Sequence, residues 1–179
     1  GIAVLVGMGS ASILSRAVGR KDQKTIDAVM GNVLVLSVMM SSAVMIIGYI
    51  FAPQLLSLIG AEGEMHAMGV QYLRIVYLGS LFVNFGQASN MVLRGEGRIA
   101  LAMIIMGSGA VLNIVLDALF IIVLKQGIAG AAIATVISQA VFALFSFFYF
   151  LCFSKNVRFK TFKLDTSIVG ETVAIGMSG

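Results

Sequence analysis

Apolar residues run along this chain in long blocks divided by short basic segments. The blocks at 28–52, 75–93, 99–124 and 128–153 each have about the 20 apolar residues that a helix needs to cross a bilayer. Residues 1–15 read as the tail of an earlier span, and 168–179 as the start of a later one. Lipid offers backbone groups no partners, so such runs must be helices or barrel strands. Barrel strands take about 10 residues in strict alternation, and these runs are longer and do not alternate. The pattern predicts an all-α polytopic transmembrane helix bundle.

Composition agrees. Of 179 residues, 59% are hydrophobic and 11% charged, and the mean hydropathy is +1.03. A soluble domain carries about 25% charge, so a soluble enzyme or a nucleic-acid module is excluded despite a pI near 9.5. One cysteine, Cys152, excludes an internal disulfide and any multi-cysteine metal site. Gly1 opens within one apolar stretch and Gly179 closes within another, so the chain reads as a fragment of a longer one.

The connecting segments set orientation. Arg16, Arg20, Lys21 and Lys24 lie in 16–27, Arg94 and Arg98 in 94–98, and Lys155, Arg158, Lys160 and Lys163 in 154–167. The other side holds only Arg74 and Lys125. By the positive-inside rule the first three segments are cytoplasmic, and binding of anionic lipid is a modest addition. Glu62, Glu64 and His66 then lie outside, the two carboxylates on the first turn of a helix leading into the span at 75. His66 reads as a solvated loop residue. Lys125-Gln126-Gly127 forms a tight outer turn, and GIAGAAIAT (127–135) spaces Gly127 from Ala131 and Gly130 from Ala134 for close helix packing.

Asp117 is the one ionisable acid or base inside the four complete spans. A carboxylate at that depth costs on the order of 3 kcal/mol, which makes it a functional candidate by default. Asn113 and Gly109 precede it at intervals of four and share its helix face. Asp117 and Thr135 each lie nine residues from Gln126, a matching depth of roughly 13 Å below the turn at about 1.5 Å per residue. Ser138 and Gln139 continue the polar face beyond Thr135, and Asn84, Gln87 and Asn90 form a stripe at spacing three. Asn113, Asp117 and Thr135 converge on a pocket of oxygen ligands with one negative charge, suited to Na⁺ or H⁺. The plainer reading is that Asp117 hydrogen-bonds Asn113. Asn84, Gln87, Ser138 and Gln139 are candidate walls of a substrate cavity, which eleven Met and twelve Phe would make pliable. Ser37, Ser41 and Ser42 read as contacts between helices.

Several stretches resemble the multidrug and toxic compound extrusion (MATE) transporters. SRAVGRKD (15–22) is similar to their signature after helix two, and LRGEGR (93–98) to their loop between helices four and five. NIVLDALFI (113–121) and GIAGAAIATVISQ (127–139) resemble helices five and six. The resemblance implies a span from the end of helix two to the start of helix seven of twelve. Residues 1–167 would then belong to the amino-terminal lobe and 168–179 to the start of the carboxy-terminal lobe. It further implies a cation site at Asn113, Asp117 and Thr135, with Asn90 as a helix-four contributor and a further Asp on helix one, which this sequence lacks. The activity implied is efflux of cationic or amphipathic small molecules across a bacterial or archaeal plasma membrane, in exchange for Na⁺ or H⁺ and without a cofactor. Oligomeric state is not legible.

Three other functions fit these residues less well. A lipid-linked oligosaccharide flippase of the same superfamily would hold pyrophosphate with Arg or Lys inside the spans, and none is there. An intramembrane enzyme needs an acid–base pair, a Ser–His pair or a metal cluster, and the complete spans offer one carboxylate, no histidine and one cysteine near a cytoplasmic end. A channel needs a ring or filter, for which one Asp and a few amides are weak support.

Overall fold

A computed structural model describes residues 2–154 and 165–178. Lys155, Arg158, Lys160 and Lys163, counted above for orientation, lie outside the described residues. Seven helices follow in order: α1 (Ile2–Arg20), α2 (Gln23–Leu58), α3 (Gly63–Leu78), α4 (Ser80–Gly95), α5 (Ile99–Asp117), α6 (Gly127–Phe148) and α7 (Thr166–Ser178). Two π-helical segments extend α5 and α6, Ala118–Val123 and Tyr149–Phe153. Among the described residues there is no strand. Four helices are long and apolar enough to cross a membrane: 2–20, 23–58, 99–123 and 127–153.

Local chemistry starts and stops these helices. Lys21 takes a left-handed turn (φ 56°) between α1 and α2. Asp22 caps α2, accepting from the Thr25 amide at 3.3 Å and the Thr25 hydroxyl at 2.7 Å. Those bonds favour the ionised form and hold the Asp22 carboxyl below its ordinary 3.8. The predicted span ended at 52, before Pro53, whereas α2 runs through Pro53 to Leu58. At 36 residues it is about 54 Å long, well beyond a hydrocarbon core of about 30 Å, so its far end stands outside the bilayer.

The predicted span at 75–93 is in fact the inner part of a longer rod, α3 and α4 meeting at Gly79. Glu64 sits in the first turn of α3 and Glu62 at its cap, as their spacing suggested. His66 is a helical residue and not a solvated loop residue. It is half-buried on α3, its Nε2 3.1 Å from the Pro53 carbonyl and 3.2 Å from the Ser57 hydroxyl of α2. Arg74 and Arg94 are twenty residues apart on this rod, about 30 Å, the thickness of a hydrocarbon core. The Arg74 guanidinium stacks 5.1 Å over the Tyr49 ring.

Helix directions agree with alternating spans. Gly7 and Gly95 meet Ala88 and Ala11, so α1 and α4 run parallel. Gly9 meets Thr172 and Gly176 meets Leu5, so α1 and α7 run antiparallel, backbone against backbone. The buried apolar core joins Ile13 and Leu14 of α1 to Val29 and Val33 of α2, Val92 of α4 and Phe150. It therefore lies toward the ends that carry the basic residues of 16–27 and 94–98. Ser37 and Ser41 are fully buried between helices, and Ser80 donates to the Ser41 carbonyl. By contrast α5 buries only Ala102 and turns Ile104, Val111 and Ile114 outward. Apolar outer faces around buried serines and amides suit lipid and not water.

Candidate functional site

The site lies between α4, α5 and α6, away from the buried apolar core. At the Gly79 break a Cβ would come 2.7 Å from Val136 and 3.2 Å from the Gln139 amide oxygen. Glycine at this bend therefore lets α6 press against the rod. Farther in, Phe142 of α6 stands between Gly86 of α4 and Gly109 of α5. Gly109 admits a neighbour, as its place in the Gly109–Asn113–Asp117 stripe suggested.

Between these contacts is a cavity of about 230 Å³. Its polar walls are Gln87 from α4, Asn113 from α5, and Thr135, Ser138 and Gln139 from α6. Five of the eight residues singled out in the sequence thus meet on one surface. No Lys or Arg lines it. The Thr135 hydroxyl donates to the Ala131 carbonyl at 2.9 Å, and Ser138 to Ala134 at 2.8 Å. With its proton so used, each hydroxyl turns oxygen lone pairs outward, where they can accept a donor or a cation.

Asp117 is one helical turn from Asn113 and outside the lining of this cavity. Its Oδ1 is buried without a hydrogen-bond partner, and so is Nδ2 of Asn113. The plainer expectation, a bond between the two, is not what the structure shows. An orphaned buried polar atom costs about 1–3 kcal/mol; the Asp117 oxygen, an acceptor, would be satisfied by a cation or a proton, and the Asn113 Nδ2, a donor, by an acceptor. The side chains of Asp117, Asn113 and Thr135 carry oxygens of the kind a hard cation takes.

Asp117 is also the last α-helical residue before the π segment. There Leu124 N–H bonds the Leu119 carbonyl, and Gln126 N–H reaches the Phe120 carbonyl. Gly130 packs on Phe120 of this segment. Gly127, expected to act in close packing, instead takes a left-handed turn (φ 58°) with open space where its Cβ would be. Sequence reasoning missed the π segment because no residue type in ALFIIV encodes one.

Two predicted residues face elsewhere. Asn90 is buried, and its Nδ2 donates 2.8 Å to the Ala102 carbonyl, joining α4 to α5. Asn84 bonds back to the Ser80 carbonyl on its own helix at 2.8 Å. Residues three apart drift about 60° around a helix at each step, so the Asn84–Gln87–Asn90 stripe spirals and only Gln87 reaches the cavity. Glu171, on α7, pairs with Arg16 of α1 at 2.8 Å.

Long apolar helices with buried serines and amides and a small polar cavity between them define a multi-pass α-helical membrane protein. The MatE family profile matches residues 1–119, and the chain belongs to that family. Multidrug export protein MepA of Staphylococcus aureus (strain MRSA252) is 29% identical over 179 residues, 99% of this chain and 40% of its own length. MepA of Staphylococcus saprophyticus is 30% identical over 151 residues, 84% of this chain and 34% of its own. The chain thus spans about 40% of the length of its S. aureus relative. Among solved structures, the inward-facing conformation of a multidrug resistance MATE family transporter of the MOP superfamily superposes with a TM-score of 0.92 at 31% identity, covering 98% of this chain and 41% of that one. An outward-facing conformation of such a transporter gives 0.91 at 31%, covering 98% and 40%.

Proposed function

We propose that this chain supplies the cation-coupling part of a secondary active multidrug efflux transporter, which exchanges Na⁺ or H⁺ for cationic or amphipathic compounds. Asp117 is the anionic ligand, Asn113 and Thr135 are its neutral partners, and Gln87, Ser138 and Gln139 line the adjoining cavity. The observation that carries this reading is the orphaned Asp117 Oδ1 beside the Asn113 and Thr135 wall. The names of the MepA relatives support the drug-export half of the reading.

The two transporter conformations support the mechanism. This stretch of chain superposes almost equally on the inward- and outward-facing forms, the behaviour of a lobe that moves as one rigid body in alternating access. Ion binding shifts that equilibrium only by its difference in affinity between the two states. Asp117 is suited to create such a difference, since a carboxylate gains most from its cation where water is excluded. The basic segments would face the cytoplasm of a bacterial or archaeal plasma membrane.

The test is efflux from cells expressing the full-length protein, wild type beside Asp117→Asn, with Na⁺ and pH gradients imposed separately. Gradient-driven efflux in the wild type and its loss in the variant are expected. Undiminished, still ion-dependent efflux by Asp117→Asn would overturn the assignment.

A further inference from the structure

A second feature of α5 and α6 is unconnected with the cation site. At their cytoplasmic ends the two helices diverge around an open groove of about 600 Å³. Its walls are Leu101 and Ile105 of α5, with Phe145, Phe148 and Phe153 of α6 and its π extension. These three rings are among the more exposed in the chain, at 53%, 53% and 72%. Arg98, the residue capping α5, closes the cytoplasmic end beside Tyr149.

The charge at that end is available. The Arg98 guanidinium lies 6.0 Å over the Tyr149 ring, and no described carboxylate pairs with it. The nearest candidate, Glu96, is engaged by the Tyr149 hydroxyl at 3.3 Å and the Ser154 hydroxyl at 3.0 Å. From Arg98 to Ile105 is seven residues, about 10 Å along the helix, within a leaflet half-thickness of about 15 Å. The groove thus offers an exposed cation at headgroup level and an aromatic trough at acyl-chain level.

We propose that this groove is a binding site for an anionic phospholipid of the cytoplasmic leaflet. Its phosphate takes the planar N–H donors of Arg98, and one acyl chain lies along Phe145, Phe148 and Phe153. Charge complementarity selects the headgroup, and the apolar trough open to the bilayer selects the chain. Tyr149, stacked under the guanidinium, holds Arg98 over the groove.

The experiment uses the full-length protein in nanodiscs of phosphatidylcholine. A trace of phosphatidylglycerol carries a photoreactive diazirine on one acyl chain, and adducts are mapped by peptide mass spectrometry. Adducts concentrated on 145–153 and 101–105, several-fold over 111–115, are expected, with no such focus for diazirine-labelled phosphatidylcholine. Arg98→Gln should lower the yield at the groove about tenfold, the loss of one charge-assisted contact, and Arg98→Lys should keep most of it. Equal labelling of all outward faces by both lipids would mean ordinary annular lipid and overturn the proposal. So would unlabelled groove peptides beside labelled outer faces, which would show another polypeptide segment seated there. If Arg98→Gln does not fold, the comparison of the two lipids on the wild type decides.

Discussion

The backbone contact between α1 and α7 makes a quantitative prediction. A Cβ on Gly9 would overlap the Thr172 carbonyl, and one on Gly176 would overlap the Leu5 carbonyl. The obstacle in each case is main chain, which cannot rotate aside as a side chain does. Ordinary Cβ contact begins near 3.4 Å, so the two helices must part by roughly 1 Å to admit a methyl group. Overpacking of this kind costs about 1–3 kcal/mol. Gly107 in α5 has open space where its Cβ would be, and alanine there should stabilise by about 0.5–1 kcal/mol through helix propensity alone. Unfolding of the full-length protein in mixed micelles, titrated with dodecyl sulfate, reads both effects. Gly9→Ala and Gly176→Ala should each fall below wild type, while Gly107→Ala should match or exceed it. The double variant should lose less than the two single losses together, because the helices need part only once. Equal stability of Gly9→Ala and Gly107→Ala would refute the packing argument.

Two further outcomes are expected. Phe142→Ala removes the ring wedged between Gly86 and Gly109 and should cost about 3–5 kcal/mol, measured by the same titration; a loss below about 1 kcal/mol would mean the ring is not a structural wedge. The Asp22 carboxyl, held below its ordinary 3.8 by Thr25, lends stability at pH above that value and loses it as pH falls through the lowered one. Thermal unfolding followed from about pH 7 to about pH 3 should therefore show a steeper acid limb for wild type than for Asp22→Asn, and coincident limbs would remove Asp22 from the account.

Much of the architecture was legible because bilayer physics leaves few options. Long apolar runs, basic segments on one side and the tight turn at 125–127 lead directly to the helices and their order. Asp117 stood out for the same reason, since a carboxylate among apolar residues needs an explanation. What escaped the sequence has tertiary causes. The break at Gly79 sits where Val136 and Gln139 of α6 leave no room for a side chain, a contact that the sequence of α3 and α4 does not announce. The apolar block ends at 52, yet α2 continues through Pro53 to Leu58. The apparent amide stripe on α4 treated spacing three as one face; the true rotation sent Asn90 to Ala102 and left Gln87 alone at the cavity.

The π segment after Asp117 also has a consequence for how this helix tolerates change in length. A π turn holds about one residue more than the α turn it replaces, so it is a stored insertion. Deleting one residue within Ala118–Val123 would let the segment relax to α-helix without breaking the span. Because the turn loses only its extra residue, everything beyond it would keep nearly the same facing relative to Asp117, whereas a deletion in the α-helical part of α5 would turn it by about 100°. The segment is thus the one stretch of this span where a residue can be lost with both the fold and the aim of the acid kept.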